Sequence, residues 1–164
     1  MNRKSFLASF GLAGGMILTG DLTAKKEKNP MPLDSDLVRE FVVAGHNDLN
    51  KVKKMVKEIP RIINCSWDWG GGDYETAMEG AGHTGNEEVV SYLIERGARP
   101  NIFTLAMMGE YELVKNWIGK YPELLTSWGP HGYSLLHHAQ LAVKNADQLI
   151  NFLRSEGLDI TKFS

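Results

Sequence analysis

The residues of this 164-residue chain whose types could do chemistry are five histidines, an acidic glycine-rich turn, a lone cysteine and one Ser, His, Asp set. His46, His83, His131, His137 and His138 could ligate a metal, but no two lie four apart on a helix, and His137 and His138 diverge around a helix axis. No metal is expected on that spacing. Asp68 and Asp73 flank Gly70-Gly71-Gly72 but lack the alternating oxygen ligands of a calcium loop. Cys65 lies in Ile62-Ile63-Asn64-Cys65-Ser66-Trp67, where no base or helix start would activate a thiol, so it reads as a small packing residue with no disulfide partner. Ser134, His137 and Asp147 have the types of a hydrolytic triad. The sequence has no Gly-x-Ser-x-Gly elbow, phosphate loop or dinucleotide fingerprint. No catalytic residue, cofactor or small-molecule substrate is therefore expected.

Aromatic residues offer a different kind of site. Trp67, Trp69 and Tyr74 share one glycine-rich loop, and Trp128, His131 and Tyr133 share another. Exposed aromatic side chains beside glycine and aspartate suit a contact surface, because they bury large areas at low entropic cost. Trp69, Asp68, Asp73, Tyr74, His131 and Tyr133 are the expected partner-binding residues. Trp67 and Trp128, each preceded by serine and an apolar run, are expected to fold back and pack. Met107-Met108 is read as core.

These loops need elements to hold them. With 43% hydrophobic and 23% charged residues the chain has the composition of one ordinary globular domain. Residues 1–30 carry five basic side chains against two acids, which leaves 13 bases and 18 acids in the remainder. An acidic body with no basic stripe excludes nucleic acid as the expected partner.

The body of the chain aligns with itself in two registers. Val52-Lys53-Lys54-Met55-Val56 through Ile59-Pro60-Arg61-Ile62-Ile63-Asn64 matches Val114-Lys115-Asn116-Trp117-Ile118 through Tyr121-Pro122-Glu123-Leu124-Leu125-Thr126 without a gap. Thr76-Ala77-Met78-Glu79-Gly80-Ala81 matches Ser134-Leu135-Leu136-His137-His138-Ala139. Half of each offset is about 30 residues, the size of one helix-turn-helix unit. Four units follow, starting near Leu37, Asp73, Ile102 and Gly132. Val89, Val90, Leu93 and Ile94 mark one helical face, and Val52, Met55 and Val56 another. Thr76 with Glu79 predicts a capping box, and Gly97 a left-handed helix end.

Gly72-Asp73-Tyr74-Glu75-Thr76-Ala77-Met78 through Gly85-Asn86-Glu87-Glu88-Val89-Val90-Ser91-Tyr92-Leu93-Ile94-Glu95-Arg96-Gly97-Ala98-Arg99-Pro100-Asn101 resembles an ankyrin repeat almost end to end. Gly132 to Asp159 is similar with an insertion near Lys144, and the first and third units are degenerate. The Trp67-Asp68-Trp69-Gly70-Gly71-Gly72-Asp73-Tyr74-Glu75-Thr76 stretch further resembles a bacterial ankyrin subgroup. The resemblance implies an all-α fold, an α-solenoid of about four ankyrin-like repeats over residues 37–160 with hairpin-like finger loops. It implies recognition of another protein on the concave face and fingers, without catalysis. It also places His137 where the motif braces adjacent turns and Ser134 at a helix cap, which accounts for both.

Residues 1–24 carry Arg3-Lys4, then Ser5-Phe6-Leu7 and an apolar, glycine-rich run, and so resemble a bacterial twin-arginine export signal with Lys4 in the second basic place. A general secretory signal and an uncleaved anchor, which would add a membrane contact, are the alternatives. Residues 25–36, with three lysines and two prolines, read as a flexible linker. The expected function is a protein-protein interaction module of the bacterial periplasm or cell envelope. Its alternatives are a small metal-binding or hydrolytic accessory protein using the His-rich fourth repeat, and a structural envelope protein.

Overall fold

A computed structural model describes residues 31–163, so the expected export signal over 1–24 and the first half of the linker lie outside the described residues. Among the described residues the protein is mostly helical with one small two-stranded sheet. No helix there is long and apolar enough to cross a membrane.

Short polar residues start most of the helices. Asp34 accepts from the backbone N–H groups of Asp36 and Leu37 to open α1, Ser35–Asn47. Asp48 then ends α1 and caps α2, Leu49–Glu58, whose Val52, Met55 and Val56 are buried. The expected capping box is present at the head of α3, Ala77–Thr84. Asn86 caps α4, Glu87–Glu95, which ends before Gly97 at φ +90°. Asn101 and Ser134 cap α5, Ile102–Met107, and α7, Leu135–Gln140. The two remaining helices are α6, Tyr111–Lys120, and α8, Ala146–Ser155, and neither has a side-chain cap.

The helices pair in sequence and stack in two rows. In one row α1 packs on α3, α3 on α5 and α5 on α7; in the other α2 touches α4 and α6 touches α8. The core has two clusters. One is built on Phe41, Val52, Ile62, Ala77 and Leu93, the other on Ile102, Leu135, Leu136, Leu149 and Leu153. Strands β1, Ser66–Asp68, and β2, Tyr74–Thr76, form an antiparallel hairpin with Trp67 opposite Glu75. Its turn is possible because Gly70, Gly71 and Gly72 all take positive φ and Asp68 Oδ1 accepts from the N–H groups of Gly70 and Gly72.

Two glycines set how closely α1 and α3 approach. A Cβ on Gly45 would collide with the Ala77 backbone, and one on Gly80 would lie 2.8 Å from the His46 ring. His138 is the fully buried histidine; burial pushes its pKa down to about 4, and its Nδ1 donates to the Ser134 carbonyl at 2.8 Å.

Gly45→Ala is expected to destabilise the fold by about 1–3 kcal/mol in urea unfolding through overpacking. Gly119→Ala, on exposed α6 with nothing within 4 Å, is expected to stabilise it by about 0.5 kcal/mol. Equal effects would mean that the α1–α3 crossing is not tight.

The depressed His138 pKa sets a pH dependence. The unfolded chain takes up a proton near its ordinary value of about 6.5 while the folded chain resists until about pH 4, so stability falls as pH drops through that window. By pH 5 this one group removes about 2 kcal/mol. A His138→Phe variant is expected to lose that much less between pH 7 and pH 5; an unchanged slope would assign the acid sensitivity elsewhere.

Candidate metal centre

Glu75 is an unusual residue to find at zero exposure, because an ionised carboxylate in a core needs compensation by charge or hydrogen bonds. Strand alternation sends it inward while Tyr74 faces out, 60% exposed. Its carboxylate is the hub of a cluster drawn from separate parts of the chain. His83, on α3, places Nε2 2.7 Å from Glu75 Oε1. His46, in the last turn of α1, places Nε2 3.5 Å from Glu75 Oε2 and 3.2 Å from His83 Nε2. His131, in the loop before α7, places Nε2 3.6 Å from Glu75 Oε1. One ligand atom from each of these four residues lies within 4.8 Å of all the others.

The far sides of the rings are tied down. His46 Nδ1 lies 3.1 Å from the Val42 carbonyl, an acceptor only, so Nδ1 carries the proton and a neutral ring turns its Nε2 lone pair inward. His131 Nδ1 donates to Asp73 Oδ2 at 2.7 Å, and its backbone N–H donates to Asp73 Oδ1 at 2.9 Å. Burial pushes the Asp73 carboxyl up, but these bonds from His131 and the nearby Lys162 charge outweigh it and hold Asp73 below the usual carboxylate range. Asp73 is therefore a charged, constant acceptor for His131. The Trp69 indole N–H donates to Glu75 Oε2 at 2.7 Å. His137 Nε2 donates to the His83 carbonyl at 2.9 Å, bracing the turn that carries His83.

With Nδ1 committed in this way, the neutral forms of His46 and His131 would present lone pairs toward a carboxylate that is itself an acceptor. Glu75 already has the Trp69 indole and His83 as partners, and a cation at the centre would in addition engage the two inward lone pairs. Metal bonds of about 2.0–2.1 Å put adjacent ligand atoms roughly 3.0–3.4 Å apart, and the separations here bracket that range. Imidazole nitrogens oriented by a carboxylate and by a backbone carbonyl are the arrangement that metal sites use to set tautomer and ring direction.

Compared with known proteins, the chain matches no family model, no curated protein and no solved structure. The site therefore rests on its own geometry.

Of the residues expected to bind a partner, Trp69, Asp73, His131 and Tyr133 gather at this cluster. Trp69 is half-buried and spends its indole N–H on Glu75. His131 and Asp73 are turned toward each other rather than outward, and Tyr133 stacks on His137 with ring centroids 4.0 Å apart. Asp68 holds the glycine turn. Tyr74 alone of the six is a large exposed surface group. Trp128, expected to pack, is instead 61% exposed and stacks on Phe163.

His46, Glu75 and His83 were not picked out by spacing within single helices, because the ligands come from different units. The fourth unit's His137 and His138 stay outside the cluster, each bonded to a backbone carbonyl. A signal was present in the repeat: Ala44-Gly45-His46 and Ala81-Gly82-His83 put two histidines at equivalent places in adjacent units. Ser134 donates to the Ile160 carbonyl and caps α7, so it forms no triad. Cys65 is half-buried, and burial raises its thiol pKa, as a packing role requires.

Trp69→Phe keeps the ring and deletes the donor to a buried carboxylate. In metal-free protein it is expected to cost about 1–3 kcal/mol in chemical unfolding. A loss below 0.5 kcal/mol (roughly the scatter of surface substitutions) would show Trp69 to be a surface residue after all.

Proposed function

We propose that this protein is an ankyrin-like repeat protein that binds one divalent first-row transition ion through His46, Glu75, His83 and His131. The observation that carries the reading is the convergence of three imidazole nitrogens on the fully buried Glu75, with two of the rings oriented from behind by Val42 and Asp73. Three nitrogens and one carboxylate suit zinc, iron, cobalt, nickel or copper, whereas magnesium and calcium prefer all-oxygen sites. The stacked helix pairs and the hairpin before α3 support the ankyrin-like description.

A protein-binding role for the loops stands as a second reading. It is favoured by Tyr74 and Trp128, both exposed, on the walls of a cavity of about 460 Å³ between the two loops. Recognition through these fingers is compatible with a metal centre behind them. Export to the periplasm or envelope would follow from residues 1–24.

The full chain, stripped with a chelator and titrated with zinc, cobalt, nickel and manganese, is expected to take up a single ion and to melt at higher temperature. At a free-ion concentration of about 100 Kd the stabilisation is about 2.7 kcal/mol. Glu75→Gln and His83→Ala are expected to abolish stoichiometric uptake, and Asp73→Asn to weaken it by about 10–100-fold. No uptake and no thermal shift with any of these ions would leave the cluster as a buried hydrogen-bond network and overturn the proposal.

A further inference from the structure

Resting on the metal reading, we propose that the centre keeps an exchangeable coordination position that takes an oxyanion, the carboxylate or phosphate group of a small ligand, guided by Arg39 and Lys162. The burial of the ligands is lopsided. Glu75 and His83 are closed off, with side chains 0% and 10% exposed, whereas His46 and His131 retain 24% and 28%. Solvent therefore touches the cluster at the edges of these two rings and not at Glu75 itself. Four protein ligands complete a tetrahedral site, so an added ligand would enter as a fifth, the expansion that catalytic zinc sites undergo, from the side where the rings are exposed.

Two aromatic rings border that open side, and each carries a cation. The Trp69 ring lies 6.5 Å from His46 and 5.9 Å from His131, and the Arg39 guanidinium sits 5.9 Å above it. Arg39 precedes His46 by seven residues on α1, two turns away on the same face. The Tyr133 ring lies 5.3 Å from His83 and 6.4 Å from His131, and the Lys162 ammonium sits 4.9 Å from its centre. Lys162 is held there because the C-terminal segment returns along the loop, where Tyr133 and Lys162 form an isolated antiparallel bridge.

Charge then selects the ligand. A divalent ion with neutral histidines and Glu75 keeps one positive charge; Asp73 cancels it, Arg39 and Lys162 add two, and Glu79 on the cavity wall beside His131 takes one away, which leaves the mouth positive. A mouth of that sign with aromatic sides attracts an anion and repels cations. Oxygen anions ligate the same ions that imidazole binds, and Arg39 adds a planar fork suited to carboxylate or phosphate.

The test uses the full chain loaded with cobalt(II), whose visible bands report coordination. Oxalate and inorganic phosphate, as carboxylate and phosphate probes, are expected to shift the bands saturably. In the Arg39→Ala/Lys162→Ala double variant both anions are expected to bind about tenfold more weakly, while neutral imidazole, entering the same position, binds as in the parent. A shift by one anion alone would support the proposal and name the ligand class. Cobalt uptake with bands that no added ligand changes would show a closed site, overturning this proposal and leaving the metal reading intact. Anion affinity unaffected by the double variant would overturn it as well. Failure of cobalt to bind would overturn the metal reading and this one with it.

Discussion

The structure depends on how a carboxylate with no exposure is held in its interior. Leaving Glu75 charged without partners would cost several kcal/mol, so everything around it is arranged to supply positive charge or donors. The Trp69 indole N–H serves one oxygen and His83 the other, and the remaining two imidazoles approach to within 3.6 Å. Protons alone satisfy this set awkwardly. His46 and His131 already spend a ring N–H each on Val42 and Asp73, so bringing a donor to Glu75 would require charging one of them. A divalent ion satisfies all four inward atoms at once, which is the physical basis of the metal reading.

The fold contributes closeness more than it contributes side chains. Gly45 and Gly80 lie where α1 crosses α3, and only the absence of a Cβ lets the His46 ring lie against α3 beside His83. His131 is brought in by a different device. It takes φ +58°, a conformation that costs a non-glycine residue of order 1 kcal/mol, and the two bonds to Asp73 hold it there. Strain at His131 and crowding at Gly45 therefore serve one end, the convergence of rings on Glu75.

Local rules read the helices well and the site poorly, for a physical reason. Caps and helix ends are decided within four residues, so Thr76, Glu79 and Gly97 could be read directly and behave as expected. The direction of a loop aromatic is decided by what lies across the fold. Trp69 turns inward because Glu75 needs its N–H, and Trp128 remains exposed beside Phe163. The cluster itself joins residues 37 and 58 positions apart. No spacing rule for one helix can see such pairs, although the recurring Ala-Gly-His at two equivalent repeat positions marks where two of the rings would meet.

In a stack of repeats each unit ordinarily touches only its neighbours, so stability is a sum of local terms. The bonds from His131 to Asp73 break that rule, because they tie the loop before α7 to the hairpin before α3. His137 Nε2, reaching the His83 carbonyl from α7, adds a second link of the same kind. An ion shared by His46, His83 and His131 would close a third loop through α1. Binding at such a centre cannot be separated from the stacking of the helices that supply it, since spreading any pair removes a ligand. Such a centre would lie where the hairpin, α1, α3 and the loop before α7 meet, so it would reinforce a junction that the α1–α3 packing and the His131–Asp73 bonds already form.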